Sequence, residues 1–224
     1  MSEHAVDAPE PEERGDDLSR AEFAYRRLLN DIRSGELRPG QRMREAELAG
    51  RLHMSRTPIR EAIRRLSSDG LVAMAPSRGM VVTELDKQQV RELYFVRGTL
   101  EGAAARLAAQ HSSLGEIATL RDLLRTSSSV HTSEQTARLN TLFHNGIHEA
   151  AHNRYLTRSL VQLADYLALL PGTTFEIAGR REAALREHGE ILQAIEQRQP
   201  EQAEALARHH IELAGLTRLR MMFR

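Results

Sequence analysis

The sequence predicts a mainly α-helical protein in two parts, a winged helix-turn-helix followed by an antiparallel all-α bundle of about six helices. Residues 19–82 contain short helical patterns joined by a tight turn, and then two strand-like runs. Every long segment of residues 86–222 has the apolar periodicity of a helix. Charge also separates the parts, since residues 19–82 hold thirteen arginines and seven acids, whereas residues 83–224 hold seventeen charges of each sign.

Composition excludes several classes of protein. The chain of 224 residues has no run of 18 apolar residues, which argues against a membrane-spanning helix. It begins without the basic and apolar segments of a secretory signal, so we expect a cytoplasmic location. With no cysteine, the chain can form neither disulfides nor thiolate metal sites. Residues 1–18 hold seven acids and one arginine without apolar periodicity, and we expect them to be a disordered acidic tail.

Residues 54–66 have the pattern of a short helix with one apolar and one basic face. The apolar residues follow the i, i+3, i+4, i+7 spacing of a buried stripe: Ile59, Ala62, Ile63 and Leu66. Pro58 suits only a first turn, where Ser55 or Thr57 can cap the free amides, so the helix begins near residue 55. A helical pattern over residues 44–52 and the tight link after it complete a helix-turn-helix.

The basic face of this helix suits DNA. Thr57, Arg60 and Arg64 project away from the apolar stripe. A guanidinium can donate two parallel hydrogen bonds to guanine O6 and N7, or it can bind a phosphate. Arginines are also typical of any solvated helix face, but the net positive charge of residues 19–82 favours a DNA recognition helix.

Two strand-like runs follow at residues 71–74 and 80–82, joined by the turn Pro76-Ser77-Arg78-Gly79. We interpret them as a wing, a β-hairpin whose basic tip can lie along the neighbouring groove of DNA. The alternative for Arg78 is an ordinary solvated turn residue.

Four stretches make the first part similar to a known family: Gly35-Glu-Leu-Arg-Pro-Gly40, Glu47-Leu-Ala49, Ser55-Arg-Thr-Pro-Ile-Arg-Glu-Ala62 and Pro76-Ser-Arg-Gly79. On these motifs, which span nearly all of residues 21–82, the chain resembles the GntR family of transcriptional regulators. The resemblance implies operator contacts by Arg56, Thr57, Arg60 and Gly79. The predicted interface also includes neighbouring residues, with Arg44 as a phosphate contact: Arg44, Ser55, Arg64 and Arg78.

Several polar residues fall inside the apolar faces of the predicted bundle helices. They are Arg97 and Glu101 in the first helix, His188 in the fifth and His210 in the sixth. In the third helix, Asn140 and His144 share a stripe with Ile147. His148 is predicted to lie further toward the polar side of that helix.

The spacing of these residues permits a metal site. An i, i+4 pair can place two ligand atoms on one metal, and helices that face each other can supply the others. His144, His188 and His210 would then supply three imidazoles, with Asn140 a weaker oxygen ligand. The alternative for each histidine is a hydrogen-bonded core residue.

Residues 86–222 resemble the FCD ligand-binding domain found in one GntR subfamily. The supporting motifs are Leu93-Tyr-Phe-Val-Arg97 with Leu100-Glu101, Asn140-Thr-Leu-Phe-His144, Glu187-His188-Gly-Glu-Ile191 and His210-Ile211. The resemblance implies a divalent metal ion, zinc or nickel, held by the residues at four positions: Asn140, His144, His188 and His210. Many relatives have Asp at the first position, and the neutral amide of Asn140 is a poorer ligand than a carboxylate.

A metal ion with open positions beside a guanidinium would attract a carboxylate. We therefore predict that Arg97 and Glu101 contact a small organic acid effector, although these two residues can instead form an internal ion pair. The full prediction is a homodimeric DNA-binding transcriptional regulator, since operators present paired half-sites. The alternatives are a metal-dependent hydrolase that uses the three histidines, and a helical interaction protein with a structural metal.

Overall fold

The computed structural model describes residues 11–223, with side chains from Ser19 onward. The chain divides into two compact units. The first comprises the chain through Glu84 together with Ala168–Pro171, and the second comprises Leu85–Leu167 and the chain from Gly172 onward. Among the helices of residues 11–223, none is both long enough and apolar enough to cross a membrane.

The first unit is a winged helix-turn-helix, as the sequence predicts. Its helices are α1 (Pro11–Arg33), α2 (Glu45–Leu52) and α3 (Arg56–Ser68), followed by strands β1 (Val72–Ala75) and β2 (Gly79–Val82). The strands pair antiparallel, with Val72 opposite Val82 and Ala75 opposite Gly79. The core includes fully buried residues of α1, of α3 and of the segments that follow these two helices: Leu28, Ile32, Leu37, Ile59, Leu66 and Leu71.

The first helix begins earlier than the sequence predicts. The apolar pattern predicts a disordered tail over residues 1–18, whereas α1 begins at Pro11. Proline fits a first turn, because its missing N–H would have had no partner there. Residues 11–18 lack the apolar periodicity on which the predicted boundary rested, and residues 1–10 of the predicted tail lie outside the described residues.

The turn of the helix-turn-helix is built on an unusual backbone conformation. His53 ends α2 with a φ of 54°, in the left-handed region, and its N–H bonds back to the carbonyl groups at the end of that helix. Ser55 then occupies the predicted N-cap position of α3 with extended backbone. Its side chain makes no capping hydrogen bond with the described residues, contrary to the role the sequence suggested for it.

A short stretch ahead of α2 pairs with β2 of the wing. The Gly40 N–H donates to the Val82 carbonyl at 2.9 Å, and the Val82 N–H donates to the Gln41 carbonyl at 2.9 Å. The Met43 N–H donates to the Met80 carbonyl at 2.8 Å. The hairpin is therefore hydrogen-bonded to the segment from which α2 emerges.

The second unit contains the six predicted bundle helices. They are α4 (Lys87–His111), α5 (Leu114–Ser129), α6 (Ser133–Ala150), α7 (Arg154–Leu167), α8 (Arg180–Glu196) and α9 (Pro200–Met221). A short 3-10 helix, Thr174–Glu176, lies between α7 and α8. At the start of α4, Asp86 and Gln89 cap each other's backbone N–H groups.

Helix α4 makes its most extensive contacts with α9, and small residues allow the close approach. A Cβ placed on Gly215 of α9 would lie 3.0 Å from three side-chain atoms of Tyr94 in α4. On the other helix, a Cβ on Gly102 would lie 2.6 Å from Cγ of Arg208. The two backbones could not lie this close if larger residues stood at these positions.

We expect Gly215→Val to lower the free energy of unfolding of the helical unit by about 1–3 kcal/mol, because the added methyl groups would displace Tyr94. Gly189→Ala in α8 is the matched control. The nearest atom that its Cβ would meet is Leu124 Cδ2 at 3.9 Å, so stability should rise by about 0.5–1 kcal/mol. Urea unfolding followed by circular dichroism measures both changes, and parent-like stability of Gly215→Val would contradict the close packing.

Candidate functional site

The exposed face of α3 contains most of the residues predicted to contact DNA. The helix buries Pro58 and the predicted apolar stripe: Ile59, Ala62, Ile63 and Leu66. The predicted contact residues of this segment are all exposed: Ser55, Arg56, Thr57, Arg60 and Arg64. Arg44, immediately before α2, is also exposed. The amphipathic pattern therefore places a basic face in solvent, where it is accessible to a groove of DNA.

Two of these arginines form ion pairs with acids of α2. Arg60 donates from Nε to Glu45 Oε1 at 2.9 Å and from Nη2 to Glu45 Oε2 at 2.8 Å. This hydrogen-bonded pair lowers the pKa of Glu45 and raises that of Arg60. Arg44 donates to Glu47, one turn further along α2. Sequence periodicity did not indicate the first pair, because its partners belong to different helices.

The wing ends in an exposed arginine. Arg78 lies in the turn between β1 and β2, and its N–H donates to the Ala75 carbonyl at 3.2 Å. The flanking residues Ser77 and Gly79 have φ values of 61° and 75°. A Cβ on Gly79 would have no atom within 4 Å, so the positive φ, rather than crowding, explains why glycine is favoured there.

In the helical unit, the structure brings together the three predicted imidazoles. His144 of α6, His188 of α8 and His210 of α9 are buried. One ring nitrogen of each lies within 4.8 Å of those of the other two. The Phe143 ring stacks on His188 with centroids 4.5 Å apart, which limits rotation of that imidazole.

A single carboxylate connects two histidines and the predicted effector arginine. Glu101 Oε2 accepts from His144 Nδ1 and from His148 Nε2, both at 2.9 Å. Glu101 Oε1 accepts from Arg97 Nε at 3.2 Å, so the internal ion pair that was the alternative for Arg97 is present. The expected position of His148 toward the polar side is wrong: His148 is buried, because Glu101 provides a polar partner inside the bundle.

A second carboxylate and a second arginine lie behind His210. His210 Nδ1 donates to Glu187 Oε2 at 2.5 Å. Both oxygens of Glu187 accept from Nη1 of the buried Arg180, at 2.8 and 2.9 Å. Sequence reasoning missed roles for Glu187 and Arg180. Their separation of seven residues, two turns of α8, is the signal that could have paired them.

Burial determines the charge states in this cluster. Burial lowers the pKa of His144, and it holds the pKa values of His188 and His210 well below their usual range. Burial alone would raise the pKa of Glu101, but His144, His148 and Arg97 outweigh it and hold that pKa well below its usual range. Burial therefore favours the neutral form of these three imidazoles, while the hydrogen bonds to Glu101 favour its ionised form.

The cluster fits a divalent metal ion. Because a carboxylate only accepts, Nδ1 of His144 and of His210 carries the proton, and each Nε2 keeps a lone pair. His188 Nε2 lies 3.3 Å from His210 Nε2. Nε2 of His144 is buried with no hydrogen-bond partner among the described residues, which costs about 1–3 kcal/mol unless a ligand satisfies it. Asn140, the predicted fourth ligand, lies one turn before His144 and is half-buried.

Comparison with known families identifies both units. The family model described as "Bacterial regulatory proteins, gntR family" matches residues 20–82. The model described as "FCD domain" matches residues 92–213, more than half of the chain.

Individual relatives are transcriptional regulators. The uncharacterized HTH-type transcriptional regulator YdhC of Bacillus subtilis is 32% identical over 80% of this chain and 82% of its own. The HTH-type transcriptional regulator McbR of Escherichia coli is 32% identical over 72% of this chain and 73% of its own.

Solved structures agree with this assignment. The structure of Escherichia coli McbR/YncC has a TM-score of 0.75 at 25% identity and covers 92% of this chain and 99% of its own. A GntR transcriptional regulator from Rhodococcus sp. RHA1 has a TM-score of 0.72 and covers 90% of this chain and 98% of its own, and its 23% identity supports the fold alone. The chain therefore belongs to the GntR family of bacterial regulatory proteins, as a DNA-binding transcriptional regulator, not an enzyme, whose helical unit is an FCD domain.

Proposed function

We propose that α3 and the wing form the operator-binding surface, with α3 in the major groove. The observation that supports this is the division of α3 into a buried apolar stripe and an exposed basic face. The proposed base contacts are Arg56, Thr57, Arg60 and Arg64, while Arg44, Ser55, Arg78 and Gly79 contact phosphates or the adjacent groove. The net charge of this unit supplies affinity for any duplex, and the side chains of α3 supply the preference for one sequence.

We expect Arg56→Ala to weaken operator binding by about 1–3 kcal/mol, because one base contact is lost. Arg26→Ala is the control, since Arg26 is an exposed arginine of the same unit that pairs with Glu22 on α1. It removes the same charge from α1, where no contact with DNA is proposed. Fluorescence anisotropy at fixed salt compares the two variants with the parent, and equal operator affinity for all three would refute the placement of α3.

We further propose that His144, His188 and His210 hold a divalent metal ion, zinc or nickel, with Asn140 as a weaker oxygen ligand. Three neutral imidazoles, two of them supported by Glu101 and Glu187, suit such ions. When bound, the ion would supply open coordination positions for an anionic oxygen. Glu101 and Glu187 keep the imidazole protons on Nδ1 and thereby direct each Nε2 lone pair inward.

Removing one imidazole should abolish metal retention. We expect His188→Ala to lose bound zinc or nickel during dialysis, whereas His209→Ala should retain it. His209 is the matched control because it neighbours His210 on α9 but is exposed. Metal analysis by mass spectrometry gives the stoichiometry, and the thermal midpoint of the parent should rise with added metal, as expected when a ligand binds only the folded state. Stoichiometric metal in His188→Ala would disprove this ligand set.

The effector we propose for this site is a small carboxylate. Two guanidinium groups lie beside the imidazoles: Arg97 donates to Glu101 Oε1 at 3.2 Å, and Arg180 Nη2 lies 3.5 Å from His210 Nδ1. Of the two proposed effector-site residues, Arg97 would contact the acid, since planar pairs of N–H donors suit a carboxylate, and Glu101 would hold Arg97 in place through their hydrogen bond. The effector can alter operator binding only if it favours one arrangement of a dimer, so the two affinities must be linked reciprocally. Homodimerisation and a cytoplasmic location are part of this proposal.

Loss of Arg97 should separate metal binding from acid binding. We expect Arg97→Ala to keep the metal but to bind acetate and succinate at least tenfold more weakly, because a charged hydrogen-bond donor contributes roughly 1.5–3 kcal/mol. The control is Arg186→Ala, which removes an exposed arginine of α8. Isothermal titration calorimetry measures both acids. Unchanged carboxylate binding by a metal-stripped His144/His188/His210 triple alanine variant would contradict a metal-assisted site.

A further inference from the structure

The pair between Glu45 and Arg60 leaves one edge of the guanidinium open. A guanidinium has two edges that can each donate two parallel hydrogen bonds, the Nε–Nη2 side and the Nη1–Nη2 end. Glu45 accepts from the Nε–Nη2 side with both of its oxygens, at 2.9 and 2.8 Å. The Arg60 side chain is still 52% exposed, and its hydrogen bonds with the described residues use only Nε and Nη2, so its Nη1–Nη2 end remains open.

We propose that Glu45 is a positioning residue, which orients Arg60 so that the open end of its guanidinium contacts the O6 and N7 acceptors of one guanine. This inference rests on the proposed placement of α3 in the major groove. Guanine is the base whose edge offers two adjacent acceptors to such a fork. Glu45 thereby determines base preference without touching DNA itself.

Positioning matters because a free arginine side chain samples many rotamers and can bind phosphates as readily as bases. The bidentate pair with Glu45 holds Arg60 from a second helix, so less conformational freedom is lost when the base contact forms. The pair also satisfies the side of the guanidinium that would otherwise hydrogen-bond elsewhere.

The negative charge of Glu45 has a second effect of opposite sign. A carboxylate at the start of α2, next to the basic face, repels DNA phosphates whatever the base sequence. Removing it should therefore raise affinity for random duplex while it lowers discrimination at the guanine. A carboxylate that merely competed with DNA for Arg60 would, on removal, raise the affinity for the operator more than that for random duplex.

Glu47 provides a matched control for this charge effect. It lies on the same helix, it is exposed, and it pairs with Arg44 rather than with a residue of α3. Glu47→Gln therefore removes one negative charge from the same surface and leaves the Glu45–Arg60 pair unchanged. Its effect should be uniform over all sequences.

The test uses the full-length protein and a randomised duplex library, from which the parent selects its operator. Each operator position is then replaced by the other three bases, and affinity is measured for the parent, Glu45→Gln, Arg60→Ala, Glu47→Gln and the Glu45→Gln/Arg60→Ala double variant. We expect Arg60→Ala to lose the preference for guanine at one position, by roughly 5- to 100-fold for one bidentate contact. Glu45→Gln should lose most of the same preference at the same position, and Glu47→Gln none.

The outcomes separate this inference from the proposed function. Retention of every base preference by Arg60→Ala would show that the proposed contact itself is wrong. Loss of the guanine preference by Arg60→Ala but not by Glu45→Gln would overturn the positioning role alone, as would a further loss when Glu45→Gln is added to Arg60→Ala. Thermal unfolding of each variant verifies that it is folded. If Glu45→Gln is unstable, Glu45→Asp, whose shorter carboxylate reaches only one guanidinium nitrogen, should give a smaller loss at the same base.

Discussion

The close contact between α4 and α9 is the constraint on which the buried site depends. Glycines at positions 102 and 215 allow the two helix backbones to approach, and larger side chains there would meet Arg208 or Tyr94. Glu101, the residue before Gly102 on α4, accepts from His144 and His148 of α6. Since Glu101 and Glu187 each accept from a histidine of another helix, the site exists only when the bundle is closely packed.

Burying so many polar groups would be unfavourable if they were independent. Glu101 is 3% exposed and bears a charge, but it accepts from two histidines and from Arg97. Glu187 is similarly enclosed by Arg180 and His210. The two carboxylates offset the two guanidiniums, so the cluster needs no charged imidazole. This balance explains how a histidine-rich core can remain folded near neutral pH.

Helical periodicity predicted the elements and the inner faces of this protein well, but it could not predict partners. The six bundle helices and the buried positions of His144, His188 and His210 followed from spacing, because burial of an apolar stripe depends on local sequence. The burial of His148 and the pairing of Arg60 depend on acids in other helices. Periodicity contains no information about how one helix is rotated or shifted against another, so these contacts required the structure.

The strand-like segment before α2 affects the spacing between the DNA contacts of the wing and those of α3. The backbone of Gly40, Gln41 and Met43 is hydrogen-bonded to β2, and α2 follows directly in the chain. The wing and the helix-turn-helix are therefore joined by backbone hydrogen bonds into one rigid domain. The structure of the domain then sets the number of base pairs between the wing contact and the α3 contact. A change of chain length within this segment would shift that spacing, although none of these three residues is a proposed DNA contact.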